Sequence, residues 1–289
     1  MSKLRARAVL FCFPFIVGWL PLAAQSSSYH LELDDPTAGP QQVIFVSDSE
    51  KSVDAFAASQ QCPRDPNGTR SATYGNHDIL GSPFLTGVSS DKRCADGRLA
   101  RGPVLKTGEC WETALFVSPQ KRDCQNEVTA IIFSDGSFEG EDTAVRGLKA
   151  HRDGLAAGVQ FWAAKIGQEK PDGSTLLALF NEVERSKAEV QKKQREYHYQ
   201  PRLMLEKDES VLPQALLWLY WSGRVQVDTN LELRLNGFIK GSSGVKTASE
   251  ALRKIADEID QWKTKIDSNP AQQKLDTAFP QLTGSEDKR

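Results

Sequence analysis

The apolar pattern of the chain changes its period near Gly140, and that change confines it to an α+β architecture. Before Gly140, turn-forming Gly, Pro, Ser and Asp recur, and apolar residues come in short runs. These are Val43 to Val46, Ala114 to Val117, and Val128 to Phe133. Runs of that length between turn formers read as β-strands. Asp135-Gly136, set between Phe133 and Phe138, is a hairpin-turn signal. Cys62 to Gly108 carries few continuous apolar residues and reads as loop-rich. A disulfide there would compensate for a thin core.

After Gly140 the period is helical. Val145, Leu148, Leu155, Val159, Trp162 and Ile166 fall on one stripe. Gly147, Gly154 and Gly158 weaken that helix by about 1 kcal/mol each relative to Ala, but would let a second helix approach closely. Pro171-Asp172-Gly173 breaks the chain. Ser174 then caps a helix running towards Tyr197, with Leu176, Leu177, Phe180, Val183 and Val190 as its apolar side. Leu212 to Ser222 is apolar all round and predicts a buried helix. The segment from 225 to 239 fits two patterns equally. Val225, Val227, Leu231, Leu233 and Leu235 alternate like a strand, whereas Val227, Leu231, Leu235 and Phe238 make a helical stripe. Thr247 and Glu250 form a capping box before Leu252, Ile255, Ile259, Trp262 and Ile266, and Pro270 ends that helix.

The expected organisation is a signal peptide over 1–24, a β-rich, loop-rich, antiparallel, sandwich-like domain over 25–140, a helical domain over 141–272, and a polar, disordered tail over 273–289. The leader rests on basic Lys3, Arg5 and Arg7, an apolar run from Val9 to Ala24, and small Ala23 and Ala24 at its end. Its two prolines and short apolar run argue against a membrane anchor, which needs about 20 apolar residues. Export, to a secreted or periplasmic location, is the expectation. Removing the three basic residues from a formal charge of −2 leaves about −5. A mildly acidic chain has no global footprint for nucleic acid.

Four cysteines lie beyond the leader: Cys62, Cys94, Cys110 and Cys124. An even number in an exported chain predicts two disulfides, and neither a C-x-x-C pair nor a suitably spaced His supports zinc. If the strands around 112–118 and 126–133 form one hairpin, Cys110 and Cys124 lie roughly 20 Å apart. A disulfide requires about 7 Å or less between Cα atoms. Of the three connectivities that four cysteines allow, this removes the one joining Cys110 to Cys124. Two stay open, and Cys94–Cys110 with Cys62–Cys124 is preferred because Gly97, Gly102, Pro103 and Gly108 let the short loop bend back.

Gly75-Asn76-His77-Asp78 resembles the GNH[DE] block of calcineurin-like metallophosphoesterases, in which the Asn ligates a metal and the His stabilises the transferring phosphoryl group. A two-metal site needs several more ligands. The upstream D-x-H, the G-D-x-x-D and the downstream G-H-x-H of that family are missing here, so the string reads as a turn. No G-x-S-x-G elbow or Gly-rich phosphate loop occurs, and Gly241-Ser242-Ser243-Gly244 reads as a flexible loop. Glu139, Glu141 and Asp142 suit a helix N-terminus better than calcium or glycoside chemistry. Lys187, Lys192, Lys193 and Arg195 read as the solvated face of the second helix. Trp218, Tyr220 and Trp221 read as core, packing with Trp162 and Trp262. No catalytic, metal or cofactor residue is assigned. The sequence favours a non-catalytic exported module that meets an unidentified protein or envelope partner, with the loop-rich disulfide region as its contact surface. The alternative is a secreted hydrolase whose residues converge only in three dimensions.

Overall fold

A computed structural model describes residues 28–33, 41–64, 70–81, 104–117, 124–168, 175–197, 212–241 and 247–280. The leader, Cys94, the glycine-serine segment after Gly241 and most of the proposed contact surface lie outside the described residues.

The first half supplies two antiparallel sheets. Strands β1 (Tyr29–Leu33), β2 (Gln41–Ser47) and β5 (Cys110–Val117) form one, in the order β1-β2-β5. Strands β3 (Val53–Arg64), β4 (Arg70–Asp78), β6 (Gln125–Phe133) and β7 (Phe138–Gly140) form the other, in the order β4-β3-β6-β7. Val43, Phe45 and Leu115 of the first sheet share a core with Phe56, Ala58, Ile131 and Phe133 of the second. Phe45 and Phe56 stack across the interface with ring centroids 4.3 Å apart. The sheets therefore face each other as a sandwich.

Five helices follow among the described residues: α1 (Asp142–Gln168), α2 (Thr175–Glu196), α3 (Leu212–Ile239), α4 (Ala248–Asp267) and α5 (Pro270–Ala278). The four-stranded sheet is the middle layer. On its second face the small side chains of Ala55, Ala57 and Ala130 let α1 and α5 settle close, through Ala144, Val145, Leu148, Ala271 and Leu275. The remaining core lies between α1, α2, α3 and α4, and Leu80 enters it from the end of β4. Where α1 crosses α3 the backbones touch. A Cβ at Gly154 would sit 1.9 Å from the Tyr220 carbonyl oxygen, and one at Gly223 2.1 Å from that of His151. Only glycine allows that approach.

Several expectations change. The segment 225–239 is helical and continues α3 without a break. Within Cys62 to Asp78 the described residues are strand, the end of β3 and all of β4. The 112–118 and 126–133 strands do not pair, because β5 joins β2 and β6 joins β3. Leu177 is exposed, and Leu179 takes its place in the core. Residues 273–278 belong to α5, where Leu275 is fully buried. Trp162 and Trp262 pack in the main helical core, apart from Tyr220 and Trp221. The capping box stands: the Thr247 side chain accepts from the Glu250 amide. The Asp135-Gly136 turn also stands, with Gly136 at φ +80° between β6 and β7.

Cys62 is bonded to Cys124. It ties the end of β3 to the start of β6, two strands that already pair. Cys110 is disulfide-bonded as well. The pairing of Cys110 with Cys124 is thus absent, but for a different reason from the hairpin geometry that excluded it.

Candidate functional site

Helix α1 is apolar where it meets the sheet and the helical core, yet it carries Lys149, Arg152 and Asp153 within little more than one turn. Lys149 and Asp153 are four apart, one turn of the helix, and pair on the side facing α5. Arg152 points elsewhere. Helix α5 lies beside α1 because Leu275 and Ala271 are buried on the sheet. Its entry is fixed by Asn269, whose side chain accepts from the Gln272 amide at 2.9 Å, with Pro270 in the first turn. That placement turns Gln272 and Asp276 towards Lys149 and Asp153.

Arg152 forms a closed polar latch. Its Nε donates to Asp78 Oδ2 at 2.5 Å and a terminal nitrogen to Asp78 Oδ1 at 3.1 Å. Asp78 Oδ1 also accepts from the Leu80 amide at 2.9 Å. Asp54 accepts from the Ser134 hydroxyl and, at 2.9 Å, from Asn269 Nδ2. The three ionic side chains are each 1% exposed. Nearby, Lys265 donates to the Ile79 carbonyl and Trp262 to that of Leu80, while Gln226 and Asn230 donate to that of Gly81. The strand end at Asp78 and the 3-10 turn after it are thereby gripped by α1, α3, α4 and the start of α5.

The second cluster is open. A cleft of about 520 Å³ is lined by Lys149, Asp153, Gln160, Gln272 and Asp276, with Ala156, Ala157 and Ile266 among its apolar residues. Lys149 Nζ donates to Asp153 Oδ2 at 2.7 Å and lies 3.1 Å from Asp276 Oδ1. Gln272 Nε2 donates to Asp153 Oδ1 and Asp276 Oδ1, each at 3.0 Å. The Oε1 of Gln272 is buried and has no hydrogen-bond partner. Burial raises the pKa of Asp153; Lys149 opposes the rise and Asp276 adds to it. The volume is that of an ordinary small-ligand site.

The sequence candidates fall elsewhere. Gly75 to Asp78 is not a turn but the last part of β4, paired with β3. Its His77 ring lies 4.1 Å from Trp111 and 5.7 Å from Phe56, and both Asp78 oxygens are taken by Arg152. Of the acidic trio, Asp142 opens α1, and Glu139 on β7 accepts from Ser28. Lys192, Lys193 and Arg195 are exposed, but Lys187 pairs with Glu232 on α3. Lys193 also lies over the Trp221 ring, 4.7 Å from its centroid. Tyr220 and Trp221 are core residues, and Trp218 is half-buried. Among the described residues no group of three or more His, Cys, Asp or Glu could hold a metal ion, and no helix is long and apolar enough to cross a membrane. Lys149, Asp153, Gln272 and Asp276 are absent from every sequence candidate. The i, i+4 spacing within each pair was the available signal, and it is shared by ordinary surface helices.

The chain matches no family model, no curated protein and no solved structure at a significant level.

Proposed function

We propose that this chain is an exported interaction module that holds a ligand in the cleft between α1 and α5 and does not transform it. The observation that carries this reading is how the cleft carboxylates are held. Asp153 has the raised pKa of a candidate acid, but both of its oxygens are engaged, one by Lys149 and the other by Gln272. A general acid must be within hydrogen-bond reach of the group it protonates. Lys149 and Gln272 occupy that reach. Among the described residues no Ser, Thr, Cys or His lines the cleft, so no hydroxyl–imidazole or thiol–imidazole pair is assembled there. The disulfide between Cys62 and Cys124 is compatible with an extracytoplasmic location. With the basic, apolar and small-residue order of residues 1–24, it supports secretion or release into a periplasm, where a protein or envelope partner would present the ligand.

The runner-up is a secreted hydrolase using Asp153 and Asp276 as paired carboxylates, favoured by their shared contact with Lys149. A small-molecule panel covering amines, acids, sugars and phosphate esters separates the two. Thermal shift would report binding, and mass spectrometry would report turnover. The module reading expects a bound compound recovered unchanged, with binding lost when the exposed Gln160 is replaced by Trp to fill the cleft. Turnover that disappears in Asp153→Asn would establish the hydrolase instead.

A further inference from the structure

We infer that the cleft between α1 and α5 takes an alkyl cation bearing N–H donors, an alkylammonium or guanidinium group on an aliphatic stem. This rests on the reading of the cleft as a binding site and names what it would bind.

In this cleft the Lys149 and Gln272 donors are turned to carboxylates, and acceptors are left over. Lys149 Nζ serves Asp153 and Asp276, and Gln272 Nε2 serves the same two carboxylates. Gln273 Nε2 is directed to the Asp267 carbonyl at 3.4 Å. On the acceptor side, Gln272 is 8% exposed and its Oε1 has no partner. A buried acceptor left unpaired is unfavourable, and an incoming donor relieves that cost. The amide is not a misassigned flip, because its nitrogen faces two carboxylate oxygens and an oxygen there would meet like charge. Asp276 accepts through Oδ1 alone, and Asp267 through Oδ2, from Lys263 at 2.5 Å; their other oxygens have no hydrogen bond among the described residues. An incoming N–H donor would complete that pairing.

Charge points the same way. The cleft is lined by three carboxylates, Asp153, Asp267 and Asp276, against one ammonium, Lys149. Counting Lys263 on Asp267 as well still leaves a carboxylate in excess. An anion would meet that excess and find Lys149 and Gln272 turned to carboxylates. The apolar part of the lining, Ala156, Ala157, Ile266 and Pro280, suits methylene groups behind the charged head. Such a cation could be a free alkylamine or the side chain of a Lys or Arg presented by a peptide.

The test is calorimetric titration of the full chain with four probes: agmatine, a capped Gly-Arg-Gly peptide, tetramethylammonium and glutarate. Agmatine or the peptide should bind, and the tighter of the two identifies a free amine or a presented side chain as the source. Tetramethylammonium, a cation without N–H donors, should bind at least about tenfold more weakly. The double substitution Asp267→Asn with Asp276→Asn should weaken the cation about tenfold. Both positions are on the surface, and an unchanged melting temperature would confirm that the variant folds. Gln160→Trp should abolish binding. Glutarate binding that Gln160→Trp removes, without binding of agmatine or the peptide, would overturn the ligand class while keeping the cleft. Cation binding untouched by Gln160→Trp would place it elsewhere and overturn the cleft itself. Silence from all four probes would overturn the ligand class, leaving the cleft to the wider panel.

Discussion

Two polar clusters grow from the same turn of α1, and they obey different rules. Arg152 faces the sheet and meets Asp54, Asp78 and Asn269 in a setting closed to water. There every carboxylate oxygen has a donor: Ser134 and Asn269 for Asp54, the guanidinium and the Leu80 amide for Asp78. Lys149 and Asp153 face α5 across a cleft, and there acceptors remain unmatched. A buried charge without partners costs far more than folding can spare, so a closed cluster has to be complete. A cluster beside an open cleft can stay incomplete, because water or a ligand finishes it. Completeness thus separates the part of α1 that holds the fold together from the part available for recognition.

The sharpest way to break this contrast is to remove the cation from each cluster. Arg152→Ala leaves Asp54 and Asp78 buried without the guanidinium that pairs with them and should cost about 3–5 kcal/mol in denaturant unfolding. Lys149→Ala should cost only about 1–2 kcal/mol, since Asp276 is half exposed and water can enter behind the lost ammonium. The two side chains are nearly equally buried, at 1% and 5% exposed, so burial alone predicts equal losses. Equal losses would show that the cleft is as closed as the latch and would remove it as a ligand site.

The latch and the cleft also mark where the sequence stops being legible. Helix stripes such as Leu252 to Ile266 could be read because one face is apolar and the other charged. The strand β3 could not. It is buried on both faces along Val53 to Gln60, and it carries Asp54, Ser59 and Gln60 with alanines where β-branched residues would announce a strand. Asp54 belongs there only because Ser134 and Asn269 complete it. Its partners lie 80 and 215 residues away. The strand alternation of 225–235 misleads for the related reason that α3 is enclosed on several sides, so apolar positions occur off its main stripe. The exposed Leu233 supplied one of the misleading alternations. In the GNHD string, Asp78 is fixed by Arg152 from 74 residues on, a pairing no local pattern encodes.

The smallest predicted effect sets two histidines against each other. His30 lies on β1, where Asp48 and Glu32 accept at 2.7 and 3.0 Å and raise its pKa, the hydrogen bond to Asp48 being the larger cause. A raised folded pKa means that stabilisation is complete below the unfolded value of about 6.5 and is lost as pH rises through the folded value. The side chain is 45% exposed, so solvent screens the pair and His30→Gln should cost less than about 1 kcal/mol. That cost should appear near about pH 5.5 and vanish in mild alkali. His151, fully buried beside the latch on α1, is shifted the other way: burial lowers its pKa and Arg152 adds to the fall, against Asp78 and a hydrogen bond with Gln226. Its contribution is therefore present above about 6.5 and is lost as pH falls below it. A proton NMR titration, assigned with His30→Gln and His151→Gln, should place the His30 midpoint above the ordinary value and that of His151 below it. A His151 midpoint at or above the ordinary value would mean that water reaches the α1–α3 crossing. The latch would then be an open cluster like its neighbour, and its completeness could no longer be attributed to burial.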